Sequence, residues 1–389
     1  MAQQHINYGN APDGAGGDNR RAALEKLEAN DTELYGLAAA NGAAAAAAQT
    51  TANNVQAALT AQRASFKNRI INGNFDFWQR GASVTTSSAN GYLTADRWKH
   101  FVAGSSLTSA QLLFAPGQTA VPDNSYTAHR TVVTSVAGAS NAVVMSQFIE
   151  DVAQLSGKTI TVSFWAKADA AKNIAVELQQ NFGGGGSPSA SVSDGGRLIA
   201  LSTVWKKYSF TTTVASIAGK TLGTNGPTTS ATALAFWFDA GSNFSGRAAG
   251  LGQQSGTFDI SQVQLEEGTS ATAFELRPAA IELVMCQRYC YSQLLPPGGA
   301  FAVGHQYSGT GAMAQVNVPV SMRSAAPTLT IGGSIRWAGA ATGSTNPTLA
   351  VGTPSQFLLL FAVSGGAQYS GGYAAANGGA AQLTFDAEL

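Results

Sequence analysis

Residues 159–167 read TITVSFWAK, with Ile160, Val162, Phe164 and Ala166 on one side of a strict alternation and Trp165 on the other. A period of two belongs to a strand that sends every second side chain into a core. Two further segments share it. The apolar set is Ile174, Val176, Leu178 and Phe182 in Asn173–Phe182, and Leu234, Phe236 and Phe238 in Ala233–Asp239. Further strands are expected at Ala142–Ile149, Lys206–Val214 and Thr257–Glu266, separated by Gly/Ser/Asn-rich turns. Six or more short strands within residues 68–278 predict a mainly β protein built on an antiparallel jelly-roll sandwich.

The same alternation names an outer face. If Ile160, Val162 and Phe164 enter the core, Trp165 points away from it, and so do Trp237 and Asp239, Glu177 and Gln179. Tryptophans with carboxylate and amide neighbours suit a pyranose, which stacks on the rings and is hydrogen-bonded at its edges. Trp165, Trp237, Glu177, Gln179 and Asp239 are therefore the candidate glycan-binding residues. The competing reading packs these tryptophans against a neighbouring subunit or domain. Trp78 and Trp98 are assigned to the core.

Flanking this region, the sequence changes character. Residues 1–36 open with a Gly/Pro/Asp-rich loop. Asp18 then stands as an N-cap candidate for a helix over Asn19–Leu34, with one thin apolar stripe of Leu24, Leu27 and Leu34. Such a helix needs a partner surface. Residues 37–67 are dominated by alanine, the best helix former. Val55, Leu59, Phe66 and Ile70 fall at intervals of four, seven and four, as along a coiled-coil seam. The alternatives are a loosely ordered linker and a narrow multi-chain stalk, roughly 45 Å long for about 30 residues. A trimeric coiled coil is preferred. A helical connector over 279–296, with its helix at Ala279–Tyr291, leads to a small C-terminal β domain over 297–389. There Ala314, Val316, Val318, Val320 and Met322 alternate with polar residues, and Phe357–Val363 is an unbroken apolar run suited to a buried strand.

The 389 residues carry 22 Lys+Arg and 22 Asp+Glu, a balance that argues against nucleic-acid binding, which needs a basic face. With only 11% charged residues the chain is not a disordered polyelectrolyte either. Neither a secretory leader nor a bilayer-spanning run is read, so no membrane insertion is expected. Cys286 and Cys290 are expected as buried free thiols. No metal cluster, phosphate-cradling loop, cofactor motif or nucleophile triad is read, so cofactors and metals are expected to be absent. A glycan hydrolase would need two carboxylates flanking a bond. Of the candidates Asp76, Asp96, Glu177, Asp239, Glu266 and Glu267, the first two are expected to pair with Arg80 and Arg97, and the last two to be turn residues. No catalysis is expected.

Two stretches resemble bacteriophage tail proteins. INYGNAPDGAGGDNRRAALEKLEANDTELY (6–35) resembles an amino-terminal segment of phage tail-fibre, spike and collar-fibre proteins, through Ile6, Asn7, Pro12, Asp18, Arg21, Leu34 and Tyr35 among others. That resemblance implies virion docking, with Leu24 and Leu27 joining these as candidate docking residues. NRIINGNFDFWQRG (68–81), TADRW (94–98), VQLEEGTSATAFELRP (263–278) and ELVMCQRYCY (282–291) together are similar to a module of phage and prophage tail-fibre proteins. Its jelly roll is like that of carbohydrate-binding modules. The resemblance implies a homotrimeric virion component, assembled in the host cytoplasm and docked on a tail, neck or baseplate protein. It would adhere to a host surface polysaccharide. A purely structural appendage and a depolymerising spike are the other two classes.

Overall fold

The structure, a computed structural model, describes residues 5–8, 15–63, 66–123, 125–225, 229–339, 342–343, 346–365 and 367–388. The chain divides into two units, Met1–Phe66 and Lys67–Leu389.

The first unit is built on α1 (Arg20–Arg63), one helix of 44 residues running unbroken through the alanine-rich sequence. Its cap is Asn19, whose Oδ1 accepts the Ala22 N–H at 2.9 Å, and not the expected Asp18. Asp18 is engaged elsewhere: its carboxylate accepts the Asn7 N–H at 2.8 Å and the Lys26 ammonium at 2.6 Å. Those two bonds, Lys26 foremost, hold its pKa below the usual carboxylate value. Arg21 pairs with Glu25 on the exposed surface at 3.0 Å. Ile6 is half-buried, whereas Asn7, Leu24, Leu27, Leu34 and Tyr35 are exposed. Pro12 and the side chains of Val55 and Leu59 lie outside the described residues. The expected seam does not extend to Phe66 and Ile70: α1 ends at Arg63, Phe66 has a φ of +65°, and Ile70 is buried in the core of the second unit.

The second unit begins with eleven strands: β1 (Ser83–Tyr92), β2 (Lys99–Leu113), β3 (Thr127–Thr134), β4 (Ala142–Ile149), β5 (Thr159–Ala168), β6 (Lys172–Asn181), β7 (Val192–Ser193), β8 (Arg197–Leu201), β9 (Lys206–Thr213), β10 (Ala231–Ala240) and β11 (Gly256–Glu267). They pair in the order β7-β6-β10-β4-β2-β3-β11-β5-β9, with β1 added to β2 and β8 to β6. The sheet curls back on itself. Phe236 of β10 and Phe164 of β5 have four strands between them along it, yet their rings meet edge to face at 5.2 Å. The result is two facing layers, consistent with a jelly-roll sandwich. Strand β2 joins them: Lys99–Ala103 pair with β4, and Ser106–Leu113 with β3. Between these stretches Gly104 takes a φ of +69°, where a Cβ would lie 2.0 Å from Asn141 Oδ1, so only glycine makes this bend.

Within residues 159–239 every inward residue read from the alternation is buried, including Ile160, Val162, Phe164, Ile174, Val176, Leu234, Phe236 and Phe238, whereas in the C-terminal set Val320 is only half-buried. The motif residues at 68–81 and 94–98 brace this core. Asn72 Nδ2 donates to the Phe77 and Asp96 carbonyls, Trp98 Nε1 to the Asn72 carbonyl, and Trp98 itself is fully buried. Asp96 pairs with Arg80 at 3.6 Å, but Asp76 does not meet an arginine: its carboxylate accepts from Asn74 and Thr127. Glu266 is also no exposed turn residue, being buried on Thr272 and Gln264.

α2 (Ala279–Gln287) starts after Pro278 as expected but stops short of Tyr291, because Cys290 opens β12 (Cys290–Leu295), paired with Ala381–Asp386. Cys286 and Cys290 are thus not on one helical face; both are free and buried. The remaining strands form a sheet of three and a sheet of seven around Trp337, Phe357, Phe361 and Phe385. The Phe357–Val363 run is not buried throughout: Phe357, Leu359 and Phe361 enter the core, while Leu358 and Leu360 are half-buried. This β domain is fastened to the sandwich near its C-terminal end. Arg80 meets Asp386 at 2.8 Å and Glu388 at 3.2 Å, and the buried Arg97 pairs with Glu388.

Candidate functional site

The outer face of β6, β10, β4 and the start of β2 carries three cross-strand rows, fixed by register. The first runs Gln179–Ala233–Phe148, the second Glu177–Ala235–Ser146–Lys99, and the third Ala175–Trp237–Val144–Phe101–Asn90. Because β10 puts alanines at 233 and 235, the middle of this face is low. Phe148 and Phe101 rise on one side, and Gln179 and Arg247 on the other. The groove has a volume of about 180 Å³ and is further lined by Phe244, Lys99, Ser146 and Asn90.

A loop after β10 closes one end. Phe244 packs on Trp237 with ring centres 5.3 Å apart and on Phe101 at 6.2 Å, while the Arg247 guanidinium lies 5.0 Å above the Trp237 ring. Trp237 does point away from the sandwich core, yet the loop covers it and leaves 1% exposed. It therefore supports the groove and offers no ring face to solvent. Glu177 is likewise buried. Its carboxylate accepts Trp237 Nε1 at 2.9 Å, Arg247 Nε at 2.8 Å and Nη2 at 2.9 Å, and Ser193 Oγ at 2.5 Å. Four donors, one pair from a bidentate guanidinium, occupy both oxygens and neutralise the charge. Gln179 is half-buried on the groove, and its side chain has no hydrogen-bond partner among the described residues.

The remaining two candidates lie elsewhere. Asp239 follows a register shift in β10 and is buried, accepting from Ser105 Oγ, Ser135 Oγ and the Gln254 N–H at 2.6–2.9 Å. Trp165 is half-buried on β5, in the opposite layer, between Lys207 of β9 and Ser261 of β11. The five residues expected to share a sugar face are thus divided among a groove, a buried network and the far layer.

Phe101, Phe148, Lys99, Phe244 and Arg247 escape the sequence reading. Phe148 carried a usable signal, since it alternates with the inward Met145–Gln147–Ile149 side of β4. Arg247 and Phe244 sit in a loop without periodicity. Lys99 is half-buried, and burial pulls its ammonium pKa down against the opposing field of Glu388. No cluster of three or more His, Cys, Asp or Glu that could hold a metal occurs among the described residues, and no helix among them is long and apolar enough to cross a membrane.

Residues 107–231 match the family model described as a carbohydrate binding domain, CBM_4_9, so the chain carries a CBM4-like domain there. No curated protein matches the chain. Among solved structures, one described as "CBM4 structure and function" is 18% identical, with 51% of this chain and 98% of that one covered at a TM-score of 0.31. The N-terminal cellulose-binding domain of Cellulomonas fimi β-1,4-glucanase C is 15% identical, with 49% and 98% covered and a TM-score of 0.28. The enzymatically active domain of bacteriophage CBA120 tailspike protein 4 is 15% identical, with 53% and 22% covered and a TM-score of 0.29.

Proposed function

We propose that this chain binds a glycan in the groove over Ala233, Ala235 and Ser146, as the adhesive part of a non-enzymatic bacteriophage fibre. The observation that carries the reading is the groove itself, a trough of small residues walled by Phe148 and Phe101 with uncommitted polar groups on Gln179 and Ser146, on a CBM4-like domain. Aromatic walls supply the stacking surface for a sugar ring, and the amide and hydroxyl meet its edge. Catalysis is left out because no Asp or Glu lines the groove among the described residues, and Glu177 beneath it is saturated.

The fibre part of the proposal rests on residues 6–35 and on α1. Leu24, Leu27, Leu34 and Tyr35 are exposed along a helix that is far longer than its own unit can bury. Association of three copies would cover that stripe and convert weak single-site contacts into avidity. The amino-terminal segment would dock on a tail, neck or baseplate protein of the particle, and the protein would reside in the virion.

Affinity electrophoresis in bacterial surface polysaccharides tests the binding site. Phe148→Ala with Phe101→Ala should abolish retardation while leaving the melting temperature within a few degrees; unchanged retardation refutes the groove. Light scattering of the full chain should give three times the monomer mass, and a monomer would end the stalk proposal.

A further inference from the structure

We infer that the groove selects an acidic glycan, with the Lys99 ammonium receiving a sugar carboxylate. This deepens the glycan reading above and rests on it. Lys99 and Glu177 stand at opposite ends of one cross-strand row, with Ala235 and Ser146 between them. At the far end the charges are closed, because Glu177 and Arg247 form a bidentate pair. At the near end they are not. Lys99 has no hydrogen-bond or ion-pair partner among the described residues, and its Nζ lies 5.1 Å from the Phe148 ring centre and 5.9 Å from that of Tyr92. Glu388, the carboxylate whose field reaches it, is buried and already bonded to Arg80 and Arg97.

A half-buried cation lying on aromatic walls is partly stripped of water, which strengthens its attraction for any anion that enters. Among the described residues the groove lining contains Lys99 and the neutralised Arg247 but no carboxylate, so an entering anion meets no like charge there. A free anion alone would leave Phe148, Phe101 and Gln179 unused. A sugar ring bearing a carboxylate uses all of them: the ring on the phenylalanines, hydroxyls at Gln179 and Ser146, and the acid at Lys99.

The test titrates the purified full chain with polygalacturonate, alginate and hyaluronan, each beside its carboxyl-reduced derivative, and with dextran sulfate. At least one uronate polymer should bind about 10- to 100-fold more tightly than its reduced form, the range set by one charged hydrogen bond. Lys99→Gln should bring the acid and reduced polymers to equal affinity, and Lys99→Arg should retain the preference. Equal binding of acid and reduced polymers, or Lys99→Gln without effect, overturns the acid preference while the groove reading stands. Dextran sulfate bound as tightly as the uronates overturns the carboxylate assignment. Absence of binding to all of them, or binding that Phe148→Ala leaves untouched, removes the groove reading and this inference with it.

Discussion

Glu388→Gln probes the joint between the sandwich and the C-terminal β domain. The Glu388 side chain is 3% exposed and receives both Arg97 and Arg80. Arg97 is 1% exposed; without Glu388 it keeps, among the described residues, the Phe148 carbonyl at 2.6 Å and the Tyr289 ring at 3.4 Å. Breaking a buried pair from one side costs about 3–5 kcal/mol, because the surviving charge is left without compensation. The lower end applies here, since Arg80 retains Asp386 and a glutamine oxygen still accepts a hydrogen bond. For a unit of roughly 320 residues, unfolding entropy near 2.1 cal/mol/K per residue sums to about 0.7 kcal/mol/K, so about 3 kcal/mol lowers the melting temperature by about 4 °C. Differential scanning calorimetry at pH 7 measures it. Lys158→Gln is the comparison: it breaks an exposed contact to Glu267 and should move the transition by no more than about 1.5 °C, the share of a surface pair worth up to about 1 kcal/mol. A Glu388→Gln protein melting within 1 °C of the parent would show that the joint contributes nothing.

His100 and His129 stack at 5.4 Å inside the sandwich, and burial lowers His100 to about 4 and His129 well below its usual value. Their neutral forms fit the fold, so this stability is whole above the unfolded value near 6.5 and is lost as pH falls toward 4. Between pH 7 and 5 His100 alone accounts for about 2 kcal/mol. Asp96, raised to about 6 by burial, has the opposite slope below that pH. The check is therefore a difference: urea midpoints should fall less steeply with acid in His100→Gln than in the parent, and parallel curves reject the assignment. At Gly73 an added Cβ would sit 2.2 Å from the Val263 carbonyl oxygen, next to the bond from the Val263 N–H to the Gly73 carbonyl. Gly73→Ala should cost about 1–3 kcal/mol as a lower urea midpoint at constant slope; an unchanged midpoint contradicts the packing.

How far the sequence could be read follows from which forces leave a local trace. The strands β5, β6 and β10 were legible because one face of each enters the core, and a slip by one residue would expose the whole apolar set. The outer faces were not, because alternation says which way a side chain points and not what lies over it. Trp237 points outward as expected, but a loop holding Phe244 and Arg247 folds over it. Trp165 points outward too, and only the strand order places it in the other layer. The end of α2 was hidden for a similar reason, since Cys290–Leu295 becomes a strand through a partner some ninety residues later.

The groove itself did leave a trace, in the absence of bulk. Residues 233–238 read ALAFWF: large side chains go inward at 234, 236 and 238, and alanines go outward at 233 and 235. On an edge strand that pattern would mean little. β10 lies between β6 and β4, whose outward residues in the same rows are Gln179, Glu177, Phe148 and Ser146. Small residues on the solvent side of an interior strand, bordered by aromatics on the next, must make a trough, because the neighbouring side chains stand higher than the methyl groups between them. The depression is therefore set by β10 and its registers rather than by the covering loop. Trimming that loop should enlarge the groove and uncover Trp237, whereas placing bulk at Ala235 should fill it.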